Sequence, residues 1–442
     1  MVNIYKAKSK ASLTGKTLNL TINAADYEVQ GISQYQQKIA FVAGALPGEQ
    51  VQARVTEDKA GHLKAVTSKV LHASALRMAA ACEFAGRCGG CQLQHLAADE
   101  QRRLKQRGID TLIRHQTALT SLPWQEVIAS ADTGYRRRAR IGVWYDKKQK
   151  QLLVGFRQAQ DKQLTDVSHC MVLSPVLAPV FSVLQQVVKT LRDPSVITHA
   201  EVIDADGTAY IILRHVKALT AEEQQRFIDA WPEAVWLGEA ETGVMQYWQQ
   251  PARTPHYTLE AYKLKLGFAP DDFIQVNTGV NQLMVQQALA WLQIDSNDVV
   301  LDLYAGVGNF SLPLAQRAKT VRAVEGVTKM VQQLATNAKL NGLSNVEAYQ
   351  ADLHLAWPKT AWHQRDYTKV VLDPARAGAQ GATEQLVRLK PAQILYVSCN
   401  PATFARDAKV LLAGGYRLEK IAGIDMFPYT SHLELMALFD RQ

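Results

Sequence analysis

Residues 299–310 read VVLDLYAGVGNF: a β-branched apolar run that closes on Asp302 and gives way to two nearby glycines, Gly306 and Gly308. A strand that ends in an acid and runs into a glycine turn opens a ligand-binding α/β unit, because glycine lets the backbone approach a ligand closely. A dinucleotide fingerprint would put a third glycine where Ser311 stands, so the pattern is incomplete for a pyrophosphate-bearing redox cofactor. Outward from this motif, apolar runs at 320–325, 346–349, 369–373 and 393–398 alternate with helical patterns such as 327–340. That rhythm predicts a doubly wound parallel sheet. Residues 417–427 and 432–440 break it and read as a terminal hairpin that adds an antiparallel strand.

This ending resembles the class I methyltransferases, and the strand ends support the likeness. Glu325 closes the second strand, where it can bond a ribose diol, and Asp352 follows the third, where it can meet an adenine. Together with the glycine loop they resemble an S-adenosylmethionine site, whose ligand is cationic at sulfur and needs no pyrophosphate cradle. Two more loops face the same crevice, LDPARAG (372–378) and VSCNPAT (397–403).

Charge divides the chain. Residues 1–150 hold 23 Lys and Arg against 12 Asp and Glu, whereas the remainder holds 26 against 29. A basic first third fits a polyanionic partner. Within it, short alternating runs between 17 and 71, separated by turn residues, predict a small OB- or TRAM-like β-barrel. An amphipathic segment follows at 97–117, then GYRRRARIGVWY (134–145), where strand alternation would place Arg136, Arg138 and Arg140 on one face toward a phosphate backbone. Residues 151–260 read as mixed α/β. The N-terminus lacks the apolar core of a signal peptide, and no apolar run is long enough to span a bilayer, so a cytoplasmic protein with no membrane partner is expected.

The five cysteines divide as four plus one. Cys399 lies in a strand-end loop beside the expected methyl donor. A lone cysteine is more often a buried hydrophobe, but here the position suits a nucleophile. Uracil C5 is too weak a nucleophile to take a methyl group directly; a thiolate adding to C6 makes C5 carbanionic. Glu434, at the strand closing the sheet, is then the candidate base for the C5 proton. The other four, Cys82, Cys88, Cys91 and Cys170, form C-x5-C-x2-C and a distant fourth. In a reducing compartment such a grouping points to a shared metal. Four-cysteine zinc sites favour paired knuckles, whereas three plus one suits a cubane [4Fe-4S] cluster. The spacing also differs from the C-x3-C-x2-C of radical enzymes.

These residues resemble the RNA uracil-C5 methyltransferases over nearly the whole chain, through the barrel, the four cysteines, GYRRRAR, FIQVN (273–277), the glycine loop, LDPARAG, VSCNPAT and HLE (432–434). The resemblance implies Cys399 as nucleophile, Glu434 as base, and Cys82, Cys88, Cys91 and Cys170 as ligands of a [4Fe-4S] cluster. It implies S-adenosylmethionine contacts from Gln275, Tyr304, Asn309, Glu325, Asp352 and Asp373. Barrel and cysteine cluster together mark the branch acting on 23S rRNA, on a flipped uridine in a single-stranded or loop segment, with a monomeric enzyme. The expected architecture is thus α/β: a class I (Rossmann-like) S-adenosylmethionine-dependent methyltransferase domain (98–132 and 269–442), an N-terminal OB/TRAM barrel (12–75) and a central α+β iron-sulfur domain (76–97 and 133–268). Two departures from the family pattern are LYAG for the commoner LFCG and Asp352 where some relatives carry Asn. Two alternatives stay open: an amino-group methyltransferase, since LDPAR loosely resembles a D-P-P-Y loop, and a silent rRNA-binding assembly factor.

Overall fold

Apolar runs bounded by turn residues become strands, and those buried on both faces need helices on either side. The computed structural model describes residues 12–159, 161, 163–250, 252–355, 357, 361–363 and 366–442. In it β1 (Val299–Leu303), β2 (Thr320–Glu325), β3 (Val346–Gln350), β4 (Lys369–Leu372), β5 (Gln393–Ser398), β6 (Tyr416–Ile424) and β7 (Glu434–Arg441) form one sheet of order β3-β2-β1-β4-β5-β7-β6. Strands β1 to β5 are mutually parallel, and β7 is antiparallel to both of its neighbours. The strand order reverses between β1 and β4, which opens a crevice at their carboxyl ends. Helices α1 (Thr278–Leu292), α2 (Ser311–Ala315), α3 (Thr328–Leu340), α4 (Ala382–Leu389) and α5 (Pro401–Ala413) accompany the sheet. Two of them start on asparagine caps: Asn277 accepts from the Val280 N–H at 3.1 Å, and Asn400 accepts from the Ala402 N–H at 3.1 Å with Pro401 opening the helix. The free side of β6 is covered by the segment 124–128, whose Gln125 and Ile128 N–H groups bond the carbonyls of Ile421 and Gly423.

Contacts sort the chain into two compact units, residues 1–81 with 92–109 and residues 82–91 with 110–442. The first contains a six-stranded sheet: Thr17–Thr21, Gln50–Asp58, His62–His72, Lys38–Ala43, Gly31–Tyr35 and Ala24–Ala25, in that spatial order. Alternate residues such as Leu18, Leu20, Val51 and Val55 point into one apolar core. The Asn23 N–H bonds the Ile32 carbonyl at 2.9 Å and draws the two ends together. Residues 98–109, the first part of the helix Ala98–Thr117, group with this unit. The reason is Gly108: a Cβ there would lie 2.5 Å from the Tyr27 backbone nitrogen, so this helix packs backbone to backbone.

The second unit adds a seven-stranded sheet from Arg138–Asp146 to Met245–Tyr247 and a small hairpin, His256–Leu259 with Leu264–Gly267. Here one expectation fails. The strand starts at Arg138 and not before, so the arginines do not form a solvated stripe. Arg137 is buried, stacks on Tyr257 at 4.5 Å and donates to the Gln275 carbonyl at 2.7 Å. Arg138 donates to the carbonyls of Pro270 and Asp272 and pairs with Glu201 at 2.9 Å. Arg136 leans on Phe427 at 5.8 Å, and Arg140 alone of the four is exposed. For Arg137 and Arg138, carbonyls distant in sequence and invisible to local alternation accept guanidinium donors. No helix among the described residues is long and apolar enough to cross a membrane.

Candidate active site

The nucleophile candidate is set by strand register. Ser398 of β5 pairs with Leu435 of β7, so the next residues outward, Cys399 and Glu434, face each other at the crevice. Cys399 fills the single position between the end of β5 and the Asn400 cap of α5. The helix N-terminus and Arg376 favour a thiolate there. Burial opposes them, and the charges of Glu434 and Asp373 add to it, pushing the Cys399 thiol up to about 11. At neutral pH that corresponds to roughly 5 kcal/mol against ionisation, so the resting site holds a thiol.

Carboxyls converge on the same place. Burial, aided by the charge of Asp373 and opposed by Arg376, raises Glu434 to about 8. Burial raises Asp373 to about 7. Asp302 is raised to about 7, mainly by burial, with Asp373 and Glu325 adding to the shift and the bond from Ser311 opposing it. A cluster of acids that repel one another, with Arg376 the cation felt at Cys399 and Glu434, is electrostatically matched to a cationic ligand.

The glycine loop is shaped for close approach. Tyr304, Gly306 and Gly308 all have positive φ, the first at 62° in a residue that disfavours it. The Tyr304 hydroxyl is buried and has no hydrogen-bond partner among the described residues. Glu325 braces the loop, accepting from the Gly306 N–H at 3.1 Å and the Val327 N–H at 2.9 Å. Gln275 donates to Asp373 at 3.3 Å, which joins FIQVN to LDPARAG. Asp352 is exposed past β3 and accepts from the His354 N–H at 2.9 Å.

Asn309 behaves differently from the others. Its amide exchanges two bonds with Asn281 of α1, at 2.9 and 3.0 Å, and accepts from the Tyr257 hydroxyl at 3.0 Å. Its side chain ties the loop to α1.

Sequence reading passed over Asp302 as a site residue and did not notice Asp407. On α5, Asp407 accepts from the Ala379 N–H and the Tyr396 hydroxyl, each at 2.7 Å, and so anchors the end of LDPARAG. Its signal was available: an acid among Phe404, Ala405, Ala408 and Leu411 on the buried face of an amphipathic helix.

Of the remaining cysteines, Cys82, Cys88 and Cys170 pack against one apolar cluster, and all four are thiols outside disulfides. Burial, together with the neighbouring thiols, pushes Cys88 and Cys170 up. The Gly90 N–H points at the Cys88 sulfur at 3.4 Å. Gly89 is obligatory in its loop, since a Cβ would lie 2.9 Å from the Arg157 carbonyl oxygen. Among the described residues no three His, Cys, Asp or Glu side chains are gathered as a single metal ion would need.

The family model described as tRNA (Uracil-5-)-methyltransferase matches residues 256–442, and the TRAM domain model matches residues 11–67. The 23S rRNA (uracil(1939)-C(5))-methyltransferase RlmD of Vibrio cholerae serotype O1 (strain M66-2) is 43% identical over 441 residues, covering 99% of each chain. RlmD of Photorhabdus laumondii is 42% identical over 448 residues, covering 100% of each. In fold, the chain is similar to the Pyrococcus abyssi tRNA (uracil-54, C5)-methyltransferase solved with S-adenosyl-L-homocysteine, with a TM-score of 0.74 at 21% identity over 96% of this chain and 100% of that one. The chain belongs to the RlmD family of 23S rRNA uracil-C5 methyltransferases.

Proposed function

We propose that the protein methylates C5 of a uridine in 23S rRNA, the position-1939 uridine named for its relatives, through a covalent adduct with Cys399. The observation that carries this reading is the pairing across β5 and β7 that sets a thiol, Cys399, opposite a buried carboxyl, Glu434, beside an acid-lined crevice.

When bound, S-adenosylmethionine supplies an electrophilic methyl group on a sulfonium sulfur. Tyr304, Asn309, Glu325 and Asp352 shape and line its place at the ends of β1 to β3, with Gln275 and Asp373 toward the reacting end. The acid cluster fits its positive charge, and the unpartnered Tyr304 hydroxyl offers a donor. Cys399 gives up its thiol proton to solvent as the site fills and attacks as thiolate: Sγ bonds to uracil C6 and the electron pair of the double bond moves toward C5 and its enolate oxygen. C5 takes the methyl group, leaving a neutral thioether behind. Glu434 then removes the C5 proton; the pair re-forms the C5–C6 double bond and Sγ leaves as thiolate. The target base must leave its stack to reach Cys399, which favours a loop or single-stranded site.

In this reading Cys82, Cys88, Cys91 and Cys170 hold a [4Fe-4S] cluster, within a three-part organisation of barrel, central domain and catalytic domain in a cytoplasmic monomer. The mutual influence of the thiols and the N–H directed at Cys88 support a shared cationic centre.

The test is methyl transfer from labelled S-adenosylmethionine to unmodified 23S rRNA, with the product mapped as 5-methyluridine. Glu434→Gln is expected to attack but not eliminate, leaving a protein–RNA adduct on a denaturing gel. Normal turnover by that variant would remove Glu434 as the base. Methylation of an exocyclic amine, or none at all, would overturn the reading.

A further inference from the structure

We infer that the outer face of the central sheet, along the strand Arg138–Asp146, is the track on which the rRNA segment next to the target uridine lies, with one base stacked on Trp144. The inference rests on the RNA reading above and adds where on this chain the strand is held. Three observations meet there.

The first is an exposed aromatic. Trp144 is 51% exposed on a strand whose alternate residues, Ala139, Ile141 and Val143, fill the core. Alternation puts Arg138, Arg140, Gly142 and Trp144 on the opposite face. A large indole left in water on a sheet face is informative where a small exposed apolar residue is not.

The second is charge. A groove of about 1450 Å³ runs over this face, lined by Trp144, Arg140, Arg157 and His199, with Gly89 and Gly90 of the cysteine loop at its edge. Residues 138–157 hold six Lys and Arg and one acid, Asp146. That carboxylate is engaged by the Lys148 and Gln149 N–H groups of its own turn. Glu201 pairs with Arg138 and Glu239 with Arg214. Arg140 contacts the His199 ring at 3.2 Å, and burial first and then Arg140 keep that imidazole below its usual range, so the partner is neutral and the arginine's charge persists. A cationic groove with a stacking ring is the combination that binds single-stranded nucleic acid.

The third is continuity with the chemistry. Arg138, at the start of this face, holds the carbonyls of Pro270 and Asp272, just before the 68% exposed Phe273 and Gln275 of the active site. At about 3.4 Å per residue, the strand carries the face roughly 20 Å from that loop to Trp144, a length suited to a few nucleotides.

The experiment uses the full chain and unmodified 23S rRNA transcript, comparing Trp144→Ala, Trp144→Phe, Arg140→Ala and Arg157→Ala. Trp144→Ala should raise the KM for RNA about tenfold, and Trp144→Phe should restore most of it, because a base stacks on either ring. Each arginine variant should flatten the dependence of log Kd on log salt by about 0.7. The KM for S-adenosylmethionine and the melting temperature should stay at wild-type values, which separates this role from folding. Unchanged RNA KM and salt slope, or a fall in kcat alone, would overturn the inference. If wild-type protein transferred no methyl group to 23S rRNA, the functional reading would fail before any variant was compared.

Discussion

Cys399 and the group Cys82, Cys88, Cys91 and Cys170 are all half-buried thiols, yet their neighbours differ in kind. Cys399 faces Glu434 and Asp373, with Arg376 and the start of α5 nearby. Cys88 and Cys170 face other thiols and an apolar cluster. A thiol among carboxyls is ionised only when needed and must be able to leave its partner again. Thiols among thiols build up negative charge on ionising that only a bound cation relieves. Burial raises Cys399, Cys88 and Cys170 alike, so it is the neighbours, not the depth, that separate a nucleophile from a ligand.

The severest test of that contrast is Cys399→Ala. Methyl transfer should fall at least roughly 10⁴-fold with no adduct in single turnover, and RNA binding should persist. Retained transfer would place Cys399 outside the chemistry. The next test is pH. Glu434 works as a base only when ionised, and its raised pKa keeps it protonated below about 8. Elimination from a preformed adduct should therefore rise with pH, roughly tenfold per unit well below 8, and level off above it. A flat profile between pH 6 and 9 would break the assignment. On the other side, Cys88→Ser should strip iron and sulfide from anaerobically purified protein and lower the melting temperature by about 5–10 °C. The kcat of the protein that remains folded should stay within about twofold. Stoichiometric zinc in the wild-type protein would refute the cluster.

The catalytic sheet was legible because its strands are continuous apolar runs; residues 299–303, 320–325 and 393–398 stand in the structure with the bounds read from sequence. Opposition of Cys399 and Glu434 was legible only in outline, since register across β5 and β7 depends on how a 35-residue separation folds back. The arginines of 136–140 were misread for a physical reason. Arg137 and Arg138 bond carbonyls of residues 270–275, more than 130 positions away, Arg136 turns back on the Arg138 carbonyl, and no local period reports either arrangement. Asn309 shows the same limit: its amide is engaged by Asn281 and Tyr257, from elements that a strand-end pattern does not see.

Asp407 supplies the smallest and most selective test, because it touches neither set of cysteines. Its carboxylate is 1% exposed and receives the Ala379 N–H, the Tyr396 hydroxyl and Arg406. Gly378 has φ +78°, and a Cβ there would lie 2.6 Å from the Asp407 oxygen, so the loop fits this carboxylate without slack. Asn400 and Thr403, on the same helix end, hold the Arg376 carbonyl at 3.1 and 3.3 Å. One helix face thus fixes the loop that carries Asp373 and Arg376, the neighbours that distinguish Cys399 from the other thiols. Asp407→Asn keeps the size but turns an acceptor into a donor toward one N–H or hydroxyl, at a cost of about 1–3 kcal/mol. Loosening the loop should lower kcat about fivefold and shift the pH dependence of adduct formation, with the KM for RNA unchanged. A variant that lost stability alone, with kcat and pH profile of the folded fraction intact, would show that the thiol's environment is set by β5 and β7 and not by this loop.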